Sequence, residues 1–178
     1  MTGKAATRYS EYGKLCRISP RAYNEEVPGR IYTDTSVIGG CEDDEFWDHS
    51  RRLMDAFIRG DLTLVLSELT LRELAPAPPA VRQVLTTVPD SHIEMVRLTP
   101  AADELARRYL AEGILKANML ADAQHIAMAT IANVDVLVSW NFRHVVNLPR
   151  IHGYNGVNAR LGYPTIEIRS PREVFTDD

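Results

Sequence analysis

The stretch Ile31-Tyr32-Thr33-Asp34-Thr35-Ser36 is the part of the sequence from which the fold is best inferred. Its pattern predicts a short strand that ends in a polar turn. Val134 to Ser139 is a second apolar strand, and Asn141 follows it two positions later. In parallel sheets, binding sites form beyond the carboxyl ends of the strands. These two strand ends are therefore expected to carry functional side chains.

Helical and strand patterns alternate around these two stretches. Apolar residues at helical spacing predict a helix that begins near Phe46 and stops at Gly60, and Thr99 with Pro100 predicts the start of another. The other predicted elements are strands at 62–66, 93–98 and 165–168 and helices at 67–75, 80–88 and 119–132. This alternation is typical of an α/β protein, so we expect a three-layer α/β/α domain with a mainly parallel sheet, residues 165–168 forming an edge strand.

Composition favours one soluble globular domain, because 45% of the 178 residues are apolar and 25% are charged. Neither of the two cysteines lies in a CxxC or Cys/His spacing, which argues against a disulfide framework and a structural zinc. The longest apolar runs are far shorter than the ~20 residues of a membrane span. We therefore expect a cytoplasmic protein with no membrane partner.

Charge is distributed unevenly along the chain, whose net charge is −4. Residues 1–30 carry six basic and three acidic side chains, and the stretch from Val136 to Ile166 contains no Asp or Glu. The average composition would place about four acids in that stretch. A polyanion could therefore bind there, through a segment whose arginine, glycine and tyrosine suit contacts with single-stranded RNA. A plain surface loop leading to the last strand is the alternative.

The chain divides by pattern into three parts. Residues 1–29 are polar without sustained periodicity and predict an N-terminal arm, residues 30–148 form the main domain, and residues 149–178 form a C-terminal extension with the edge strand.

Three acidic side chains are candidates for a site. Asp34 either ligates an ion or caps a turn, and Asp122 either joins such a site or complements the dipole of its helix. Glu68 and Glu73 lie about 140° apart on one helix, so a single site can take only one of them. Glu68 is expected to pair with Arg72, which leaves Glu73 as the candidate, with an unpaired solvated glutamate as the alternative.

Two further side chains have a functional and a structural interpretation. Asn141 can ligate a metal through its amide oxygen or can simply turn the chain after the strand. His125 can touch a substrate or can be a packed, hydrogen-bonded histidine.

Four segments taken together resemble the PIN-domain nucleases, and particularly the VapC-like toxins of toxin-antitoxin pairs. They are Thr33-Asp34-Thr35-Ser36, Leu71-Arg72-Glu73-Leu74, Ala121-Asp122-Ala123-Gln124-His125-Ile126-Ala127 and Val138-Ser139-Trp140-Asn141. The resemblance covers about residues 30 to 148, and it implies that carboxylates from separate elements converge on Mg²⁺ or Mn²⁺ to hydrolyse RNA. Mg²⁺ prefers a few carboxylates and waters, and such an ion can activate a water nucleophile.

On matching positions, the resemblance assigns roles to individual residues. Asp34, Glu73 and Asp122 become catalytic metal ligands, and Asn141 becomes a neutral ligand where these nucleases commonly have an acid. With one charge fewer, a second ion is expected to bind weakly or to arrive with substrate phosphate. The expected substrate-binding residues are Thr35, Ser36, His125, Ser139, Arg143, His144 and Arg150. A cognate antitoxin and a homodimer are the expected partners besides RNA.

Two other functions are compatible with parts of the sequence. A PIN-fold RNA-binding or protein-interaction module, with catalysis lost through Asn141, would keep the same basic stretch. A doubly wound phosphate-binding domain is disfavoured, because the chain has no GxxxxGK[ST] or GxGxxG run.

Overall fold

A computed structural model describes residues 29–175, and these form an α/β domain around a parallel five-stranded sheet. The strand order is β3-β2-β1-β4-β5, and every neighbouring pair is parallel. The strands are β1 Gly29–Thr33, β2 Leu62–Ser67, β3 Ile93–Val96, β4 Val136–Val138 and β5 Ile168–Arg169. An edge strand thus forms near the predicted position. The predicted N-terminal arm lies outside the described residues, except for Gly29, which begins β1.

Eight α-helices connect and follow the strands within residues 29–175. They are α1 Thr35–Gly39, α2 Trp47–Arg59, α3 Glu68–Leu74, α4 Pro79–Thr86, α5 Pro100–Ala111, α6 Leu120–Ile131, α7 Leu148–Leu161 and α8 Pro171–Val174. The predicted starts of α3 and α5 are confirmed, because Ser67 and Thr99 accept backbone N–H groups of the first turns. None of these helices is long and apolar enough to cross a membrane.

The sheet separates two apolar cores, as the three-layer prediction requires. Successive strand residues face opposite sides, so Ile31 and Tyr32 contribute to different cores. One core contains side chains of α5, α6 and α7, and the other contains side chains of α1, α2 and α4. Each large apolar side chain that is fully buried contributes about 1.5–3 kcal/mol to stability, so both layers are held to the sheet mainly by burial.

Residues 148–161 form helix α7, which corrects the interpretation of this segment as a loop. Gly153 and Gly156 lower its helix propensity, and they obscured the helix in the sequence. The helix is nevertheless marked at both ends: the side chain of Asn147 accepts the N–H of Arg150, and Gly162 closes the helix at φ 79°. Tyr154 is fully buried, so one face of the segment belongs to the core rather than to a surface.

The order of the strands fixes where a site can form. β1 lies in the middle of the sheet, with β2 on one side and β4 on the other. After β1 the chain forms β2 and β3 on one side, and it then returns to the other side of β1 to form β4 and β5. The crevice between the carboxyl ends of β1 and β4 is thus a topological switch point, the usual ligand position in such sheets. Thr33 is in register with Val138, which brings Asp34 next to Ser139.

Candidate functional site

Asp34 follows β1 and is held by two hydroxyl groups. Its Oδ1 accepts from Ser36 N at 3.1 Å and from Ser36 Oγ at 2.5 Å, and its Oδ2 accepts from Ser139 Oγ at 2.6 Å. The carboxyl is also the N-cap of α1, so the structure gives it the capping role that the sequence left open. Ser36 and Ser139 come from different elements, and Asp34 therefore joins the ends of β1 and β4.

Burial is the dominant influence on Asp34, whose residue surface is only 7% exposed. Burial raises the pKa of Asp34, and the hydrogen bonds from Ser139 and Ser36 and the positive field of His125 lower it by less than burial raises it. The net pKa is therefore above its ordinary value. A cation beside this carboxyl would favour its charged form.

Glu73 lies on α3, and its carboxylate reaches toward α1 and α6. Its Oε2 accepts from Thr35 Oγ1 at 2.8 Å and from His125 Nε2 at 3.1 Å. Burial raises the pKa of Glu73, but hydrogen bonds from His125 and Thr35 and the charge of His125 lower it by more than burial raises it. The pKa of Glu73 is therefore below its ordinary value. The alternative of an unpaired solvated glutamate is therefore wrong.

Glu68, the other acid of α3, pairs with a different partner from the one expected. Its Oε1 lies 3.3 Å from Nε of Arg97, and both side chains are largely exposed. The predicted pair with Arg72 is not the contact that forms. Glu68 is thus a surface acid on the same helix as Glu73.

His125 is buried, and both of its ring nitrogens contact protein groups. Nε2 contacts Glu73, and Nδ1 lies 2.7 Å from the hydroxyl of Tyr32, which donates to Ser67 Oγ at 2.8 Å. Only 5% of the side chain is exposed, so the ring presents almost no surface to a substrate. These contacts orient Glu73, and they correspond to the structural interpretation of His125.

Asp122 lies in the first turn of α6 and is bound by two side chains from the turn after β4. Its Oδ1 accepts from Asn141 Nδ2 at 3.0 Å, and its Oδ2 accepts from His144 Nδ1 at 2.9 Å. Because the carboxylate accepts, Nδ1 of His144 carries a proton. In the part of the chain that the structure describes, Nε2 of His144 is buried and has no hydrogen-bond partner.

Asn141 is oriented by contacts at both ends of its amide. Its Oδ1 accepts the backbone N–H of His144 at 3.0 Å, while its Nδ2 faces Asp122. Exchanging the oxygen and nitrogen would set a donor against an N–H and an acceptor against a carboxylate. The amide oxygen that was expected to ligate a metal is thus directed at the backbone of its own turn.

The three predicted acids and Asn141 lie in two hydrogen-bonded groups, which the Asp34–Thr35 peptide joins into one network at the switch point. Ser139 Oγ donates to Asp34 and accepts the backbone N–H of Asn141 at 2.9 Å, which links the Asp34 side to Asp122. Thr35 links the same turn to Glu73. Nevertheless, no group of three His, Cys, Asp or Glu side chains in residues 29–175 could hold a metal ion as arranged. The metal site stays a prediction.

The two arginines expected to contact substrate have different surroundings. Arg143 is exposed in the turn after Asn141. Arg150 lies in the first turn of α7, where its guanidinium donates to the backbone oxygen of Ile114 at 2.8 Å. Arg150 therefore has a structural contact that the sequence did not predict.

The sequence interpretation missed the polar group behind Glu73. Tyr32, Ser67 and Thr70 are buried, and Ser67 Oγ lies 3.0 Å from Thr70 Oγ1. Tyr32 stands in an apolar strand, where a tyrosine is usually read as core. The one available signal was that a buried tyrosine hydroxyl needs a hydrogen-bond partner.

The fold is similar to that of several solved structures. No protein-family model and no curated protein sequence matches the chain. A structure of DNA-bound VapBC from Salmonella typhimurium aligns with a TM-score of 0.51 and 18% identity, over 80% of this chain and 98% of that one. This likeness agrees with the PIN-like α/β/α fold predicted from the four motifs.

Two further structures align with slightly lower scores. VapBC2 from Rickettsia felis, bound to a promoter DNA fragment, gives a TM-score of 0.49 at 14% identity over 79% of this chain and 98% of that one. VapC20 from Mycobacterium tuberculosis, described as a sarcin-ricin loop cleaving toxin, gives a TM-score of 0.49 at 14% identity. The alignment covers 77% of this chain and 98% of that one.

Proposed function

We propose that this chain is a PIN-domain endoribonuclease of the VapC-like toxin class, which hydrolyses RNA phosphodiester bonds with Mg²⁺ or Mn²⁺. The observation that carries the proposal is the arrangement at the switch point, where the Asp34–Thr35 peptide joins two hydrogen-bonded groups, one with Asp34, Asn141 and Asp122 and the other with Glu73. The fold likeness to a VapBC structure supports the same class. The class implies a cognate antitoxin, a homodimer and a cytoplasmic location, and these belong to the proposal.

The donor chemistry of the network fits a hard divalent cation. Carboxylate oxygens are its preferred protein ligands, and the chain supplies three of these groups within one network. Burial of Asp34 without a charged partner in direct contact is a cost that a cation would relieve. Asp34, Glu73 and Asp122 would hold the ion after their side chains move from the present arrangement, with Asn141 beside them. When bound, the ion would polarise the phosphodiester and lower the pKa of a water.

The side chains of the network have distinct tasks in this proposal. Ser36 and Ser139 hold Asp34 from two elements, which fixes one carboxylate before substrate arrives. Thr35 and His125 hold Glu73. In this proposal these contacts limit the orientations that the two carboxylates can adopt. Arg143 lies exposed in the adjoining turn, where it offers positive charge to a phosphate.

An RNA cleavage assay with Mn²⁺ tests the proposal. Asp34→Asn, Glu73→Gln and Asp122→Asn should each reduce cleavage by at least about 100-fold, because each removes a ligand charge. Glu68→Gln is the matched control, since Glu68 is an exposed acid on the same helix as Glu73 and lies outside the network. Cleavage should also stop in EDTA. Equal cleavage by all four variants would refute the assignment.

A binding module without catalysis is the second candidate, and the contact between Asn141 and Asp122 favours it. The amide already supplies a neutral donor to that carboxylate. Such a module would bind RNA or protein equally well in EDTA and in Mn²⁺. RNA bound tightly in EDTA, with no products in Mn²⁺ from structured or unstructured RNA, would favour the module.

A further inference from the structure

An aromatic cluster adjoins the switch point, and its rings have no role in the network described above, which Trp140 joins only through its backbone N–H to Ser36 Oγ at 2.9 Å. Its centre is Trp140, which lies between the site residues Ser139 and Asn141. Phe46 stacks on Trp140 with ring centroids 4.4 Å apart, and Phe142 contacts it at a tilt of 58° and 6.0 Å. Trp140 itself is buried, so it supports the other rings and presents almost no surface of its own.

Trp140 is fixed from several directions. Its Nε1 donates to Ser50 Oγ at 2.8 Å, and the guanidinium of Arg172 lies 5.5 Å from its ring centroid. A Cβ atom at Gly40 would lie 2.8 Å from Nε1, so the indole packs directly against that backbone. The ring is therefore a rigid base for its neighbours.

Phe142 projects from a closed turn and remains 47% exposed. The backbone N–H of Phe142 donates to Trp140 O at 2.9 Å, and the backbone oxygen of Asn141 accepts from Val145 and Val146. The side chain of Asn141 closes the same turn through His144 N. An exposed phenyl ring on a hydrogen-bonded turn loses little conformational entropy when something stacks on it.

A second exposed aromatic residue nearby has the opposite charge environment. Trp47 follows Phe46 and is 53% exposed, but four consecutive acids, residues 42–45, precede Phe46, and Asp48 follows Trp47. Phe142 is followed by Arg143 and lies in the stretch from Val136 to Ile166 that has no acid. Arg143 therefore offers an anionic polymer a positive charge beside Phe142, whereas acids flank Trp47 along the chain.

We propose that Phe142, supported by Trp140, is a stacking platform for one unpaired nucleobase of a single-stranded RNA, with Arg143 at the adjacent phosphate. The inference rests on the proposed function, because it concerns the RNA that enters that site. Every nucleobase has a π-face, so such a platform fixes a nucleotide beside the carboxylates without selecting its sequence. Arg143 favours RNA over a basic protein segment at Phe142, once a cation neutralises Asp122, which contacts Asn141 and His144.

The test uses an oligoribonucleotide of about 12 uridines, which stack weakly on one another, with 2-aminopurine at the centre, in Ca²⁺, with the RNA checked as intact after each titration. Ca²⁺ neutralises the carboxylates and accepts looser geometry than Mg²⁺. Stacking quenches 2-aminopurine fluorescence, so the wild-type protein should quench it on binding. Phe142→Ala should abolish the quench and weaken Kd by about 5- to 150-fold, which is the usual worth of one stacked base.

Two controls separate stacking from general effects. Phe142→Tyr keeps the ring and should therefore keep the quench and the wild-type Kd. Phe142→Leu keeps the apolar volume without the ring, so it should lose the quench and bind with a weaker Kd. Trp47→Ala removes an equally exposed aromatic ring from the acidic side and should bind as the wild type does. Circular dichroism confirms that each variant is folded.

The outcomes distinguish this inference from the proposed function. Wild-type Kd and quench in Phe142→Ala would overturn the platform alone, while cleavage in Mn²⁺ would still support the nuclease. A change of oligomeric state in Phe142→Ala with unchanged RNA binding would also overturn it and would assign the ring to a protein contact. Loss of quench in Phe142→Ala without any cleavage by the wild type would support the platform and refute the nuclease. Absence of RNA binding by the wild type would overturn both.

Discussion

The amide of Asn141 donates to Asp122 at 3.0 Å while its oxygen accepts the N–H of His144 at 3.0 Å, so its orientation is fixed from both ends. Asp122 accepts a second bond from His144 on its other oxygen. A neutral donor therefore faces this carboxylate where the resemblance would place an acid. The residue type at position 141 therefore decides whether three or four carboxylates lie at this edge of the sheet.

Asn141→Asp is predicted to make the stability of the protein depend on metal. The variant replaces the amide donor with a second carboxylate beside Asp122, and like charges at that distance repel. In EDTA at pH 7, the free energy of unfolding should fall by about 1–3 kcal/mol. Mn²⁺ should restore it, because a ligand that binds the native state alone stabilises that state. Denaturant unfolding with and without Mn²⁺ measures both effects.

Asn147→Asp is the control for this prediction. Asn147 caps α7, and aspartate caps helices about as well as asparagine does. Its stability and its response to Mn²⁺ should match those of the wild type. An Asn141→Asp protein that responds to Mn²⁺ no more than the wild type would show that Asn141 and Asp122 do not bind the ion.

Asp34 and Glu73 are predicted to affect stability with opposite dependence on pH. Burial raises the pKa of Asp34 above 3.8. The contribution of Asp34 to the free energy of unfolding is therefore fully present below pH 3.8, and it is lost as pH rises through the pKa of the folded state. Asp34→Asn should therefore gain stability relative to the wild type as pH rises to 7. Burial raises the pKa of Glu73, but His125 and Thr35 lower it by more, so it lies below 4.5. The contribution of Glu73 to the free energy of unfolding is therefore present above pH 4.5 and is lost as pH falls through the pKa of the folded state.

Guanidinium denaturation in EDTA between pH 3.5 and pH 7 tests both signs. Glu73→Gln should be less stable than the wild type by about 1 kcal/mol at pH 7, and the difference should shrink toward pH 3.5. Glu68→Gln serves again as the exposed control and should show neither trend. Parallel pH curves for Asp34→Asn and Glu73→Gln would contradict the assigned pKa directions.

The sequence was sufficient to predict the sheet and the edge of it at which Asp34 and Asn141 lie together. Asp34 and Asn141 each follow a short apolar strand, and the carboxyl ends of adjacent parallel strands lie together, so the residue pattern alone placed them at one edge. Glu73 and Asp122 lie on helices, and their place at that edge came from the resemblance rather than from periodicity.

Other features depended on contacts that a sequence does not reveal. Tyr32 and His125 are 93 positions apart, and nothing local to either residue indicates their hydrogen bond. Helix α7 was missed because its glycines and asparagines suggested a loop, although burial of Tyr154 and Val157 outweighs their low helix propensity. Glu68 pairs with Arg97 instead of the predicted Arg72, because the folded chain brings Arg97 near Glu68. Spacing along one helix does not reveal such a contact.

Tyr32→Phe is predicted to impair both stability and cleavage. The change removes the hydroxyl that contacts His125 Nδ1 and donates to Ser67, which leaves buried polar groups without a partner and costs about 1–3 kcal/mol. His125 then holds Glu73 less firmly, so cleavage should fall further than the loss of folded protein explains. Tyr109→Phe is the matched control, because the hydroxyl of Tyr109 donates to Asn158 at 2.6 Å and contacts no side chain of the network, and the phenyl ring is kept. It should lose comparable stability and keep the cleavage rate, and equal cleavage in both variants would remove the positioning role of His125.

Arg143 and Arg150 are predicted to separate RNA binding from folding, although the sequence assigned both to RNA. Arg143 is exposed in the turn beside Phe142, so Arg143→Ala should weaken binding of a single-stranded oligoribonucleotide in Ca²⁺ and reduce the slope of log K against log salt by about 0.7. Arg143→Lys should restore the slope, because the contact requires charge.

Arg150 donates to the backbone oxygen of Ile114, so Arg150→Ala should leave the slope unchanged and lower the free energy of unfolding by about 1–2 kcal/mol. Fluorescence anisotropy between about 50 and 300 mM KCl, together with denaturation of each variant, measures both quantities. A slope reduced equally by Arg150→Ala would place the first turn of α7 against the RNA and would return Arg150 to the role that the sequence predicted.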